Sequence, residues 1–94
     1  MLINDIILLD DVIDKLIWKH NISELELRQV FNNNPRIRFI EKGKIKGEHV
    51  YVAAGRTDAG RYLLIFFILK KDNNASVITA RDMTESERKK YAKK

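Results

Sequence analysis

Few side chains in this 94-residue chain could carry out acid–base or nucleophilic chemistry. The sequence has no cysteine and two histidines, His20 and His49, which excludes thiol nucleophiles, disulfides and zinc–thiolate sites. Asp10, Asp11 and Asp14 fall at the expected start of a helix, where compensation of the helix dipole explains them without a metal ion. The chemistry left open is phosphate binding by cations, with proton transfer by an imidazole or a phenol.

His20 is the most evident titrating group, and Lys19 precedes it in the last turn of a predicted helix. The negative end of a helix dipole favours the imidazolium form, so His20 is better suited to donating a proton or contacting a phosphate than to acting as a base. Lys19 could meet the same phosphate. The alternative is a half-buried histidine packed behind Leu16 and Ile17, beside an ordinary surface lysine.

Three arginines lie where predicted strands meet loops. Arg81 follows the last strand and precedes a capped helix, where a guanidinium could bind a phosphate beside free backbone N–H groups. The alternative for Arg81 is an ion pair with Asp82 or Glu85. Arg56 at the tip of the first hairpin and Arg61 on its far side could bind a substrate or only increase solubility.

Further candidates lie on the last helix and on a central strand. Glu87 and Tyr91 share a helix face with Thr84, so Glu87 is either a capping-box carboxylate or a general base. Tyr91 could stack on a base, donate its phenolic proton or simply anchor the helix. His49 and Tyr51 project from one face of a strand, and they could contact a substrate or pack across the strands.

Apolar periodicity and caps predict the helices that would position these groups. The spacing predicts a first helix from about Asp10 to His20. Trp18 lies off its apolar stripe and is either an exposed aromatic for a base or a partner, or a residue at the edge of the core. Ser23 and Glu26 form the capping box of a second helix. The apolar residues 6–9 could be a short strand or part of the first helix.

From residue 36 the apolar period changes to two, which is typical of strands. The alternation and the turns between predict four strands, near residues 36–39, 49–54, 62–69 and 77–80. A second capping box at Thr84 and Glu87 begins a C-terminal helix. We therefore predict an α+β fold with N-terminal helices, a four-stranded antiparallel meander sheet and a C-terminal helix.

Length and charge place these elements in a single domain over residues 1–94 with an uneven charge distribution. Residues 1–34 contain three basic and six acidic residues, whereas residues 35–94 contain fifteen basic and seven acidic ones. Such a distribution predicts an electropositive face that attracts nucleic acid or an acidic partner. The longest apolar run has eight residues, against about 20 for a membrane span, so we expect a cytoplasmic protein without membrane association.

Two blocks in the second half resemble the signature of the BrnT toxin family. One is Gly-Arg-Thr-Asp-Ala-Gly-Arg-Tyr-Leu at residues 55–63; the other is Thr-Ala-Arg-Asp-Met-Thr at 79–84, followed by Glu87, Arg88 and Tyr91. Residues 19–23, Lys-His-Asn-Ile-Ser, resemble that family's basic-His-Gly-Val-Ser segment. Two departures are Asn21 in place of the usual glycine, and Leu16 where relatives often carry a histidine.

The resemblance implies a RelE-like fold and a small, metal-independent ribonuclease without cofactors. It also implies an antitoxin partner, often with a ribbon-helix-helix domain, through which alone DNA would be contacted. Cleavage of RNA by its 2′-hydroxyl needs a base, cations for the phosphorane and an acid for the leaving 5′-oxygen. The expected catalytic residues are Lys19, His20, Arg56, Arg81 and Tyr91, and the expected substrate-binding residues are Arg61, His49, Tyr51 and Glu87.

An alternative function stays open within the same family. The chain could be a catalytically degenerate, toxin-like binding module that acts through a partner in an autoregulatory DNA-binding complex. The leucine at position 16 favours this alternative, whereas the arginine-rich blocks favour the enzyme.

Overall fold

Three helices and five strands make up residues 3–93, the part of the chain that the computed structural model describes. In chain order they are β1 (Ile6–Ile7), α1 (Asp10–His20), α2 (Glu24–Asn32), β2 (Arg36–Glu41), β3 (Val50–Arg56), β4 (Tyr62–Leu69), β5 (Ala75–Asp82) and α3 (Glu85–Ala92). The strands form one mixed sheet in the order β1-β5-β4-β3-β2. Within residues 3–93, no helix is both long and apolar enough to cross a membrane.

The α+β class and the antiparallel meander from β2 to β5 are confirmed, but the predicted four-stranded count is wrong. A fifth strand, β1, pairs in parallel with β5, with Ile6 opposite Ala75. The Ala75 amide donates to the carbonyl of Asp5 at 2.8 Å. Because β1 has two residues, it is too short to show the alternation by which a strand is recognised in a sequence.

Helices α1 and α2 cover one face of the sheet, which we call the helix face. Both predicted helices are confirmed, and α2 begins with the predicted capping box of Ser23 and Glu26. Asn21 ends α1 in the left-handed conformation, with φ of 52°, which asparagine tolerates better than most residues. The main core lies here and is formed by Leu16, Ile22, Leu27 and Val30 against Ala53, Leu63, Ile65, Phe67, Val77 and Ala80.

Helix α3 packs on part of the opposite face, which we call the α3 face. The apolar contact there is a smaller cluster in which Val52, Leu64 and Met83 are buried, with Tyr62 and Tyr91 partly buried beside them. No residue of α3 itself is fully buried. The helix is therefore held mainly by Tyr91 and by polar contacts.

A bulge in β5 sets which side chains reach each face. Phe66 pairs with Thr79 and Phe67 pairs with Val77, so Ile78 has no partner on β4. The extra residue changes the phase of the alternation. As a result Arg81, opposite Leu64, lies on the α3 face, whereas Asp82 lies on the helix face.

Candidate functional site

Two tyrosines and three arginines meet on the α3 face. The rings of Tyr62 and Tyr91 contact each other edge to face, with centroids 5.9 Å apart. The guanidinium carbon of Arg88 lies 4.5 Å from the Tyr62 centroid and that of Arg56 lies 5.5 Å from it. The guanidinium of Arg36 lies 5.3 Å from the Tyr91 centroid. We call these five residues the tyrosine–arginine cluster.

The cluster depends on three separate parts of the fold. Arg56 and Tyr62 are cross-strand partners at the end of the β3–β4 hairpin. Tyr91 and Arg88 lie one turn apart on α3. Arg36, at the start of β2, donates to the carbonyl of Lys93 at 3.1 Å, and this bond holds the end of α3 over the sheet.

An open groove of about 1150 Å³ runs beside the cluster. Its other wall is the end of α2 and the hairpin tip, lined by Asn33, Asn34, Thr57 and Asp58. The side-chain amide of Asn33 donates to the carbonyl of Arg56 at 2.9 Å and to the Asp58 carboxylate at 3.0 Å. These bonds fix the hairpin tip and therefore the direction from which Arg56 reaches the groove.

Arg81 lies on the same face and forms a bidentate ion pair with Glu87, at 2.7 and 2.8 Å. The same carboxylate accepts from the Thr84 amide at 2.8 Å, which confirms the predicted capping box. The hydrogen bonding from Arg81, and after it that from the Thr84 amide, lowers the pKa of Glu87 to about 2. Glu87 is therefore a poor proton acceptor at neutral pH. Among residues 3–93, nothing accepts from the Arg81 Nε–H or from its second Nη2–H.

Arg61 points to the helix face, where all five of its N–H groups are used. Nε and Nη2 donate to the two Asp82 oxygens, at 2.7 and 2.9 Å. The remaining donors reach Glu26 and the carbonyls of His20 and Asn21. The pKa of Asp82 is lowered, mainly by its hydrogen bond from Arg61. In this arrangement Arg61 therefore has no free N–H group for the predicted binding of a substrate.

The five predicted catalytic residues do not come together. Arg56, Arg81 and Tyr91 lie on the α3 face, whereas Lys19 and His20 end α1 on the helix face. Lys19 is exposed and His20 is half-buried. The two groups nevertheless share one end of the sheet, because Nη2 of Arg61 donates at 2.9 Å both to the His20 carbonyl and to Asp82, the neighbour of Arg81.

His49 and Tyr51, predicted to bind substrate, lie in an aromatic cluster on the helix face. Tyr51 stacks on Phe67 at 5.9 Å between ring centroids, and Phe39 meets the His49 and Tyr51 rings edge to face at 5.7 and 5.9 Å. The His49 Nδ1 atom is buried without a hydrogen-bond partner. These contacts are those of the packing alternative, and the sheet separates both side chains from Arg81.

Sequence reasoning missed three members of the cluster: Arg36, Tyr62 and Arg88. Two signals were present, since Tyr62 and Arg88 fall in the family-like blocks and Arg88 lies one turn before Tyr91. Arg36 gave no comparable signal, because its place beside α3 depends on the pairing of β2 with β3.

The candidate site can also be compared with metal sites and with known proteins. Between residues 3 and 93, no three His, Asp or Glu side chains lie close enough together to hold a metal ion. A family model described as "Ribonuclease toxin, BrnT, of type II toxin-antitoxin system" matches residues 12–87, which include three members of the cluster, Arg36, Arg56 and Tyr62. No curated protein matches the chain significantly.

Proposed function

The chain belongs to the BrnT family of ribonuclease toxins from type II toxin–antitoxin systems, and from this premise we propose that it is a metal-independent endoribonuclease whose RNA site is the tyrosine–arginine cluster and its groove. The observation that carries the proposal is the meeting of two tyrosine rings with three guanidinium groups beside an open groove. In this proposal the protein acts in the cytoplasm, an antitoxin of the ribbon-helix-helix type neutralises it, and DNA is contacted only through that antitoxin.

The composition of the cluster suits single-stranded RNA. Unpaired bases stack on tyrosine rings, and such stacking is worth about 1–3 kcal/mol per base. Arg56 and Arg88 are exposed and can bind the flanking phosphates. Because the groove is open along its length, a strand could cross it without threading.

Arg81 is the residue we assign to the reacting phosphate. The RNA 2′-hydroxyl would release its proton to solvent water as its oxygen attacks phosphorus, and the 5′-oxygen would leave, giving a 2′,3′-cyclic phosphate and a 5′-hydroxyl end. The two free N–H groups of Arg81 would stabilise the negative charge of the phosphorane. The phenol of Tyr91 would protonate the leaving oxygen, while Glu87 would hold Arg81 in place.

Lys19 and His20 take a different part in this proposal. They lie at the same end of the sheet as Arg81 but on its other face, so we assign them to phosphates beyond the cleaved linkage. Leu16 is 1% exposed and belongs to the core. A side chain at that position does not reach the cluster, so the departure from relatives there removes no group from the proposed site.

A catalytically degenerate binding module is the second candidate. One observation favours it: of the described residues, neither histidine lies in the cluster, and the nearby carboxylate of Glu87 is fixed in an ion pair. One proton-transfer group is worth about 10²–10⁴ in rate. Slow cleavage, by positioning, charge and the Tyr91 proton donor without a general base, is therefore the expectation if the enzyme proposal is correct.

The test is cleavage of single-stranded RNA by purified chain in excess EDTA, with binding followed separately by fluorescence anisotropy. We expect 2′,3′-cyclic phosphate ends from the parent and at least a tenfold loss of cleavage in Arg81→Ala. Arg56→Ala should lose binding, and His20→Ala should weaken binding with cleavage of bound RNA kept. Arg28→Ala, at a half-buried arginine of α2 that is paired with Glu24, is the matched control and should behave as the parent.

Two outcomes would contradict the enzyme proposal. Equal residual cleavage by the parent and by Arg81→Ala would point to a contaminating nuclease. Binding that depends on Arg56 without cyclic phosphate ends would support the binding module.

A further inference from the structure

Strand β2 is an edge of the sheet and has a neighbour on one side only among residues 3–93. Its outer side therefore presents unpaired backbone N–H and C=O groups over the six residues Arg36–Glu41. Such an edge can accept another extended chain as an additional strand. The opposite edge strand, β1, has two residues and therefore offers far fewer backbone groups for pairing.

The apolar side chains of this edge are unusually exposed. Phe39 is 50% exposed and Ile40 is 39% exposed. Phe39 pairs with Tyr51, whereas Ile40 is the extra residue of a bulge between Phe39 and Glu41 and has no partner on β3. Ile45, in the loop that follows, is 56% exposed. A strand added beside β2 would cover part of this exposed apolar surface.

The same edge is strongly basic. Residues 36–46 contain Glu41 as their one acidic residue and five basic ones, Arg36, Arg38, Lys42, Lys44 and Lys46, and all six are exposed. A second copy of this chain would bring two such basic segments side by side, which like-charge repulsion opposes. An acidic extended segment would be attracted to it.

The loop that carries the three lysines is anchored to the fold. Glu48 is buried, and its carboxylate pairs with Lys70 at 3.0 Å. The Glu48 amide donates to the carbonyl of Ile45 at 3.0 Å. Gly43 lies so close to the Glu48 carbonyl that it leaves no space for a side chain. The lysines are therefore presented beside β2 from a loop of defined geometry.

We propose that β2 binds an extended acidic segment of the antitoxin, with alternating apolar side chains, as a sixth strand of the sheet. Arg36 connects this edge with the RNA site, because it begins β2 and its guanidinium lies on the Tyr91 ring. A bound acidic segment that reaches Arg36 would neutralise the positive charge at the groove and exclude RNA. This inhibitory consequence rests on the proposed function, whereas the docking itself does not.

The test uses a synthetic probe, a fluorescein-labelled ten-residue peptide of alternating Glu and Val, with RNA absent. We expect the parent chain to bind it and the amides of residues 36–41 to gain protection from hydrogen exchange. A peptide of equal charge with two central prolines should bind at least tenfold more weakly, since proline cannot donate to a strand. The triple variant Lys42→Glu, Lys44→Glu, Lys46→Glu should also bind the peptide at least tenfold more weakly than the parent. The affinity of Ile40→Ser for the peptide should fall by a smaller factor.

The matched control is Arg88→Ala, a cluster residue whose guanidinium lies over Tyr62 of β4, which should weaken RNA binding and keep peptide binding. Equal binding of the proline peptide, or protection at α3 without protection at β2, would overturn the proposal. Loss of RNA binding in the triple variant, with no peptide binding by the parent, would make RNA the occupant of this edge and would also overturn it. A chain that binds the peptide but does not cleave RNA would contradict the proposed function alone.

Discussion

Replacing Arg61 with methionine should destabilise the fold strongly. Glu26, whose side chain is 26% exposed, would lose a charge-assisted partner, at a cost of about 1.5–3 kcal/mol. The carbonyls of His20 and Asn21 would lose a donor each, at about 0.5–1.5 kcal/mol apiece. The Asp82 side chain is 57% exposed, so water would replace its lost partner, and the loss of this ion pair would cost about 0–1 kcal/mol. Because neighbouring contributions are not additive, we expect a total loss of about 3–4 kcal/mol.

Urea denaturation followed by far-UV circular dichroism measures this loss. Fluorescence would report poorly, because Trp18 is already 87% exposed in the folded chain. With a slope of about 1–1.5 kcal/mol per molar urea for a chain of this size, the midpoint should fall by about 2–4 M. Arg61→Lys should recover little, since a lysine cannot reproduce the planar set of five donors.

The matched control is Arg28→Met on the same face. Arg28 pairs with Glu24 one helix turn away at 2.9 Å, and both side chains are more than 40% exposed, so the loss should be no more than about 0.5 kcal/mol. If both methionine variants lost the same stability, the reasoning that Arg61 joins α1, α2 and β5 would be refuted.

Three further predictions concern α3 and the basic loop. The pKa of Glu87, about 2 in the parent, should rise toward 4.5 in Arg81→Gln by NMR titration of the carboxyl carbon. Because folding lowers that pKa, the stability that it contributes is present above about pH 4.5 and should be lost as the pH falls toward 2; an unchanged titration midpoint would contradict this. Amides of residues 88–93 should exchange quickly in the isolated chain, because α3 buries no residue fully, and strong protection there would mean that α3 is firmly docked. Gly43→Ala should cost about 1–3 kcal/mol in thermal unfolding, since its Cβ would collide with the main chain, whereas Lys44→Ala should change stability by less than about 0.5 kcal/mol.

The local features of this fold could be predicted from the sequence. The capping boxes at Ser23 and Thr84 depend on residues three positions apart, so their geometry follows once a helix forms. The meander likewise follows from alternation interrupted by short turns. These features need no knowledge of which strands pair or in which register.

The composition of the candidate site could not be predicted in the same way. Arg36 and Arg88 reach the tyrosine rings from elements more than fifty residues apart, and only the sheet order brings them together. The sheet also separates His20 from Arg81, although both lie at the same end of it. Both outcomes depend on the face to which each side chain points, which is a property of register and not of residue type.

The bulge at Ile78 has a consequence for charge as well as for shape. Counted from Val77 with strict alternation, Arg81 would point toward α1 and α2, and Asp82 would lie on the α3 face. A single unpaired residue thus determines that a guanidinium, and not a carboxylate, lies on the face where we propose that RNA binds. Inserting one more residue between Ile78 and Arg81 would exchange the two charges and make this part of the α3 face repel polyanions, even if every strand still formed.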